Sequence, residues 1–164
     1  MALPEREAFT EILGACPSLQ AERASCSLQR PLDDRAQPRI NVEAEAVLTI
    51  LSLVEADELE LLSSEVLQFE IAAIPSVQRQ ARAGEILALA VEVVDLTDEI
   101  EAQAATFVKA GIKPMDALHL ASASWTKADY FCTCDDKLLK KSKKLKGLDT
   151  QVVSPLELIA EVTS

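Results

Sequence analysis

Histidine occurs once in these 164 residues, at His119, and cysteine four times, at Cys16, Cys26, Cys132 and Cys134. A single histidine leaves little for a cysteine–histidine zinc site. The C-x-C spacing of Cys132 and Cys134 is also tighter than the C-x₂₋₄-C pair such sites use. The chain is too long and too rich in helical pattern for a disulfide scaffold, so these thiols read as core residues. No apolar run approaches the roughly 20 residues that a membrane helix needs. The start, MALPEREAFTEILG, lacks a basic region followed by a continuous apolar stretch, so no secretory signal is expected and a soluble, cytoplasmic protein is. Excess positive charge is missing too, the formal net charge being -11. That argues against an unspecific nucleic-acid coat, which would be basic. It does not exclude a nuclease, because carboxylates that hold metal add negative charge and the metal inverts the local field. Repeats and low-complexity tracts are absent.

What is present fits one domain, with 49% apolar residues to build a core. Residues 1–23 read unlike the rest: 4–13 could form a short helix with Phe9 and Leu13 on one side, and 14–23 has no clear period. Residues 31–38 are loop-like, with a proline at each end and Asp33 and Asp34 between them in a turn role. A helix follows, its stripe made by Ile40, Ala44, Val47, Leu48, Leu51 and Val54, with Glu43, Glu45 and Glu55 off it. Residues 59–63 form a short strand. Ser64 caps a helix that carries Leu67, Phe69, Glu70 and Ile71 and stops near Pro75. Another helix covers 77–89.

The run 91–96, VEVVDL, is a strand. Thr97 caps a helix striped by Ile100, Ala104, Phe107 and Val108 and ended by Gly111. Pro114 opens a helix to about Trp125, which reads as a packing residue at the helix end. Residues 130–134 form a strand and 135–144 a basic helix. Val152 and Val153 form a last strand, and Ser154-Pro155-Leu156-Glu157 is a capping box opening a final helix. Strands with apolar interiors alternate with helices. That predicts an α/β fold, a three-layer α/β/α sandwich around a central parallel sheet.

In such sheets the site lies beyond the carboxyl ends of the strands. Three acids stand at such places: Glu70 after the 59–63 strand, Asp116 in the first turn of the 114–125 helix, and Asp135 directly after the 130–134 strand. Clustered carboxylates repel unless a cation sits among them. Oxygen ligands without cysteine or histidine favour Mg²⁺ or Mn²⁺, which can activate a water and stabilise a phosphate in flight. Taken singly, each acid has a plainer reading: Asp116 complements a helix N-terminus, Asp135 is an N-cap, and Glu70 is solvated.

Several segments together resemble the PIN-domain family. PMDALHLASA (114–123), followed by YFCTCDDKLLKKS (130–142), resembles its C-terminal half, where an aspartate opens a D-A-x-x-L-A-x-A helix and a T-x-D-x-x-L segment follows a strand. SSEVLQFEI (63–71) resembles the middle segment that supplies a glutamate, here Glu70. CSLQRPLDDRAQPRINVEAEAVLTI (26–50) is similar to a subgroup whose first strand ends in L-D-T-C and runs into R-P-F/L-D-D. The resemblance covers about 24–160, making 24–164 a PIN-like domain and 1–23 an atypical N-terminal segment. It implies a toxin-like or RNA-processing ribonuclease with Glu70, Asp116 and Asp135 as catalytic metal ligands for Mg²⁺ or Mn²⁺. It also implies the Thr133 hydroxyl near the metal shell, an RNA substrate, an antitoxin partner and a homodimer.

One departure stands out. The family's first strand ends in a metal-binding aspartate, and alignment back from Cys26 and Ser25 puts Ala24 there. SLQAER (18–23) also lacks the apolar strand expected before it. Either the domain is degenerate, or 1–23 replaces the native start through a shifted frame or an altered chain. Glu22, two residues before Ala24, would face the same side of a strand and partly substitute. His119 follows Asp116 by three residues, and the plainer reading makes it a packed or hydrogen-bonded core residue. Lys137, Lys140 and Lys141 open a lysine-rich stretch that could contact RNA phosphates, or simply form a solvated helix face.

The leading expectation is a metal-dependent endoribonuclease, impaired by the loss of one acidic ligand. The alternative is a catalytically inactive PIN-like module that binds RNA or protein. A third reading, an unrelated phosphoryl-transfer or receiver domain, wants a second acid near the first strand's end and a phosphoacceptor aspartate that the sequence does not place.

Overall fold

The computed structural model describes residues 20–22 and 38–164. In order, the elements are β1 (Gln20–Glu22), α1 (Pro38–Glu55), β2 (Glu60–Ser64), α2 (Glu65–Ala72), α3 (Val77–Leu87), β3 (Glu92–Val94), α4 (Asp98–Lys109), α5 (Pro114–Trp125), β4 (Tyr130–Cys132), α6 (Asp136–Ser142), β5 (Gln151–Val153) and α7 (Pro155–Thr163).

Local signals start and stop these helices where the sequence places them. Ser64 accepts from the Leu67 N–H at 3.0 Å, Thr97 from the Ile100 N–H at 3.3 Å, and Ser154 and Glu157 form a complete capping box. Ala110 is the C-cap of α4, and Gly111 takes the left-handed place after it, with φ +100. Gly111 N then bonds Val108 O and Ile112 N bonds Phe107 O, the paired closure of a Schellman turn.

The strands form one sheet in the order β3-β2-β1-β4-β5, and every pair is parallel. Alternation along each strand feeds two cores. Leu61, Tyr130, Cys132 and Val153 join Val47, Ile50 and Leu51 of α1, Leu67 and Ile71 of α2, and Leu158 of α7 on one face. Leu62, Val94 and Phe131 join Ile100 and Phe107 of α4, Leu120 of α5 and Leu138 of α6 on the other. Each fully buried Leu or Ile contributes roughly 1.5–3 kcal/mol. Two cores around one parallel sheet make the three-layer α/β/α sandwich, and Cys132 and Cys134 are buried within it.

The central position belongs to β1. Gln20 and Ala21 pair with Glu60 and Leu61 of β2, while Ala21 and Glu22 pair with Tyr130 and Phe131 of β4. A strand therefore forms within 18–23, a stretch without the apolar pattern expected of one. Three polar or small residues form it because ladders on both sides satisfy their backbone groups, and no apolar run is needed for that. Ala24, Ser25, Asp33, Asp34, Cys16, Cys26, Phe9 and Leu13 lie outside the described residues.

Other expectations also change. β3 is an edge strand, and Val91 and Val93 are exposed beside buried Val94, so the sheet is not apolar on both faces there. Phe69, Val108 and Trp125 are exposed and pack no core. Glu43, expected off the apolar stripe of α1, is buried. Among the described residues no helix is long and apolar enough to cross a membrane.

Candidate active site

Parallel pairing brings the carboxyl ends of the strands to one edge of the sheet. α2 and α6 follow β2 and β4 out of that edge. α5 runs back into β4, so its first turn points to the same edge. The residues that begin or follow these helices are the ones to read chemically.

Asp116 sits in the first turn of α5, behind Pro114 at the helix start, and is only 6% exposed. Burial pushes its carboxyl above the ordinary carboxylate range. His119 pulls it back, Asp135 pushes it up, Lys113 pulls it down, and Glu70 pushes it up. Screened charges act over short distances, so these groups share one neighbourhood. Asp116 is the acid in the first turn of α5, as its plainer reading has it, and it is buried as well.

Glu70 lies toward the end of α2, its side chain 12% exposed, which removes the solvated reading. Its Oε1 stands 3.0 Å from Nε2 of His119, and its Oε2 is buried with no hydrogen-bond partner among the described residues. His119 itself has no exposed surface.

Asp135 is the N-cap of α6. Its Oδ1 accepts the Lys137 N–H at 2.8 Å and the Leu138 N–H at 3.2 Å. Only one carboxylate oxygen serves the cap, so capping and a second role are compatible. Thr133 is buried, and its Oγ1 accepts the Asp135 N–H at 3.1 Å, so the hydroxyl fixes the turn that carries Asp135. Lys137 and Lys140 are exposed on α6, whereas Lys141 Nζ donates to Gly111 O at 2.9 Å and ties α6 to the turn before α5.

Sequence reasoning passed over a second group beside this one. Arg39 Nε donates to Glu43 Oε1 at 3.0 Å, and Arg39 Nη2 to Asp136 Oδ1 at 2.6 Å. The i,i+4 spacing of Arg39 and Glu43 was the available signal. A cleft of about 410 Å³ opens there, lined by Arg39, Val42, Glu43, Asp136, Pro155 and Leu156 among others. None of Glu70, Asp116 and Asp135 lines it.

In chemical type, the donors suit a hard divalent cation. The donors are oxygens, Glu70 Oε2 is an orphaned buried oxygen, and Asp116 is disfavoured as an anion by burial and by both other acids. Among the described residues no group of three or more Asp, Glu, His or Cys side chains is gathered tightly enough to hold an ion. The three acids are thus a loose neighbourhood, not a closed cage. Mg²⁺ tolerates that, since it keeps several waters and takes one or two carboxylates plus substrate phosphate.

The family model of the PIN domain matches residues 30–144 of this chain. No curated protein matches it.

Proposed function

The chain belongs to the PIN domain family, a family of nuclease-type function, and from that premise we propose that it is a metal-dependent endoribonuclease hydrolysing RNA phosphodiesters. The observation that carries the reading is the buried Asp116 beside Asp135 and Glu70, with Glu70 Oε2 left unpartnered.

Glu70, Asp116 and Asp135 would hold Mg²⁺ or Mn²⁺. Such an ion supplies Lewis acidity toward a phosphate oxygen and makes a water acidic enough to act as nucleophile near neutral pH. Asp116 is the residue most in need of a cation, since burial and two neighbouring acids disfavour its charge. Asp135 is oriented by its own cap and by Thr133, which leaves it little freedom to turn away. Lys137 and Lys140, exposed beside Asp135, would meet RNA phosphates and hold the backbone in place. A toxin-like role with an antitoxin partner, a homodimer and a cytoplasmic location belongs to the same proposal.

Ala24 favours a second reading, a PIN-like module that binds RNA or protein without cutting it. Cleavage of a generic single-stranded RNA with Mn²⁺, by this chain and by Asp116→Asn, separates the two. Cleavage that disappears in Asp116→Asn and on chelation supports the enzyme. Binding of RNA without cleavage by either chain supports the module.

A further inference from the structure

The only histidine of the chain has no exposed surface and stands 3.0 Å from a candidate metal ligand. We propose that His119 is a positioning residue, whose Nε2–H holds Glu70 Oε1 so that Glu70 Oε2 is presented to the divalent cation. The inference rests on the metal-dependent reading of the site and adds a residue to it.

Geometry supplies the argument. A glutamate near the end of a short helix has three side-chain torsions to fix before either oxygen can serve as a ligand. An ionised carboxylate only accepts, so Nε2 carries the hydrogen in this contact. With Oε1 held, the rotation that exchanges the two oxygens is lost, and the remaining oxygen is the buried one without a partner among the described residues. A ligand carboxylate pinned through its other oxygen is the usual way that an outer contact orients a metal ligand.

The residue type matters as well. A lysine or arginine at position 119 would pair with Glu70 as a permanent cation and compete with the metal for its charge. An imidazole donates a directed hydrogen bond from a rigid ring without being a permanent cation. The helix places it suitably: Asp116 and His119 are three residues apart on α5, so one face carries both a ligand and the group that orients a second ligand on α2. The contact spans 49 residues of sequence and joins two helices that must keep their spacing for the site to exist. A core histidine that merely satisfies its hydrogen bonds would leave metal affinity unchanged when replaced by a folded apolar variant.

The test is Mn²⁺ binding by titration calorimetry to the full chain, to His119→Leu and to His119→Gln, with folding followed by circular dichroism. Gln carries an N–H close to the Nε2 position. The expected result is a loss of about 10- to 100-fold in affinity for a folded His119→Leu and a loss within about threefold for His119→Gln. A folded His119→Leu that binds Mn²⁺ like the parent overturns the inference and leaves the metal site standing. A parent chain that binds no Mn²⁺ overturns the metal reading, and this inference with it. If His119→Leu does not fold, the imidazole of the parent decides. With one histidine its ¹⁵N resonances are unambiguous. They must shift along the same saturation curve as the Mg²⁺ binding heat, and resonances that stay fixed at saturation overturn the proposal.

Discussion

Arg39 Nη2 donates to Asp136 Oδ1 at 2.6 Å, across 97 residues of sequence. The bond fastens the first turn of α1 to the first turn of α6, one residue beyond Asp135. Asp136 first, then Glu43, holds the guanidinium proton more firmly than usual, although Arg39 is largely exposed. Exposed pairs contribute little on their own, so a double-mutant cycle of Arg39→Ala and Asp136→Ala is expected to give a coupling of about 0.2–1 kcal/mol, weakened by high salt. Urea unfolding of the four chains measures it. A coupling several times larger would mean that the pair is effectively buried.

Asp116→Asn is expected to make the metal-free chain more stable at neutral pH. The folded carboxyl sits above its ordinary pKa of 3.8, chiefly through burial. Its protonated form is therefore the favoured one in the fold. That contribution is complete below the ordinary value and is lost as pH rises through the folded value. Asparagine mimics the protonated form at every pH. The melting temperature of Asp116→Asn in chelator should exceed that of the parent at pH 7, by about 2–4 °C for each kcal/mol recovered, and the gap should close below about pH 4. Saturating Mn²⁺ should raise the parent by about 2.7 kcal/mol at 100 times Kd and do far less for the variant. Equal curves with and without Mn²⁺ would count against a cation at Asp116.

Ser63 Oγ and Thr150 Oγ1 are buried with no hydrogen-bond partner among the described residues. A buried hydroxyl left unmatched costs about 1–3 kcal/mol, and removing it recovers part of that. Ser63→Ala and Thr150→Val are each expected to be neutral or stabilising by about 1 kcal/mol in urea unfolding. Destabilisation beyond that range would show that the hydroxyls are satisfied.

Lys127 holds the left-handed place after α5, with φ 57, and Ala128 N closes the turn on Ala123 O at 2.9 Å. A side chain there is strained, whereas the matching place after α4 has Gly111. Lys127→Gly should stabilise by about 0.5–1 kcal/mol and Gly111→Ala should destabilise by about 1 kcal/mol. Thermal unfolding of both variants tests the pair together.

The parts of the fold legible in the sequence are those that depend on neighbours within a turn. Ser64, Thr97, Ser154 with Glu157, and Pro114 mark helix starts through bonds three residues long, and each is visible in a short window. β1 was not legible, because Gln20, Ala21 and Glu22 carry no apolar run and are held by strands that lie 40 and 109 residues further on. The exposure of Phe69 and Trp125 was hidden for a related reason: an apolar residue reads as core until its helix face is known. At the candidate site the positions of the acids after strands were readable. The bond from His119 to Glu70 was not, since it needs two helices distant in sequence to meet. The burial of Glu43 depended in the same way on what packs against α1.

Ala24→Asp is the prediction that bears most on the choice between enzyme and module. β1 occupies the centre of the sheet, between β2 and β4, and its described residues end at Glu22. The resemblance read from the sequence, aligned back from Cys26, would put the acid that ends the family's first strand at position 24. Glu70, Asp116 and Asp135 form a loose neighbourhood without a closed cluster, as a site short of one ligand would. A fourth carboxylate should bring Mn²⁺ affinity up by about tenfold or more, since even an outer contact is worth that much. Cleavage of single-stranded RNA should rise with it, and Ala24→Asp combined with Asp116→Asn should be silent. Repulsion among four acids should also lower the stability of Ala24→Asp in chelator, and added Mn²⁺ should reverse this. If affinity and cleavage both stay at the parent's level while the fold survives, position 24 lies away from the site, and the missing aspartate does not explain the looseness of the acids.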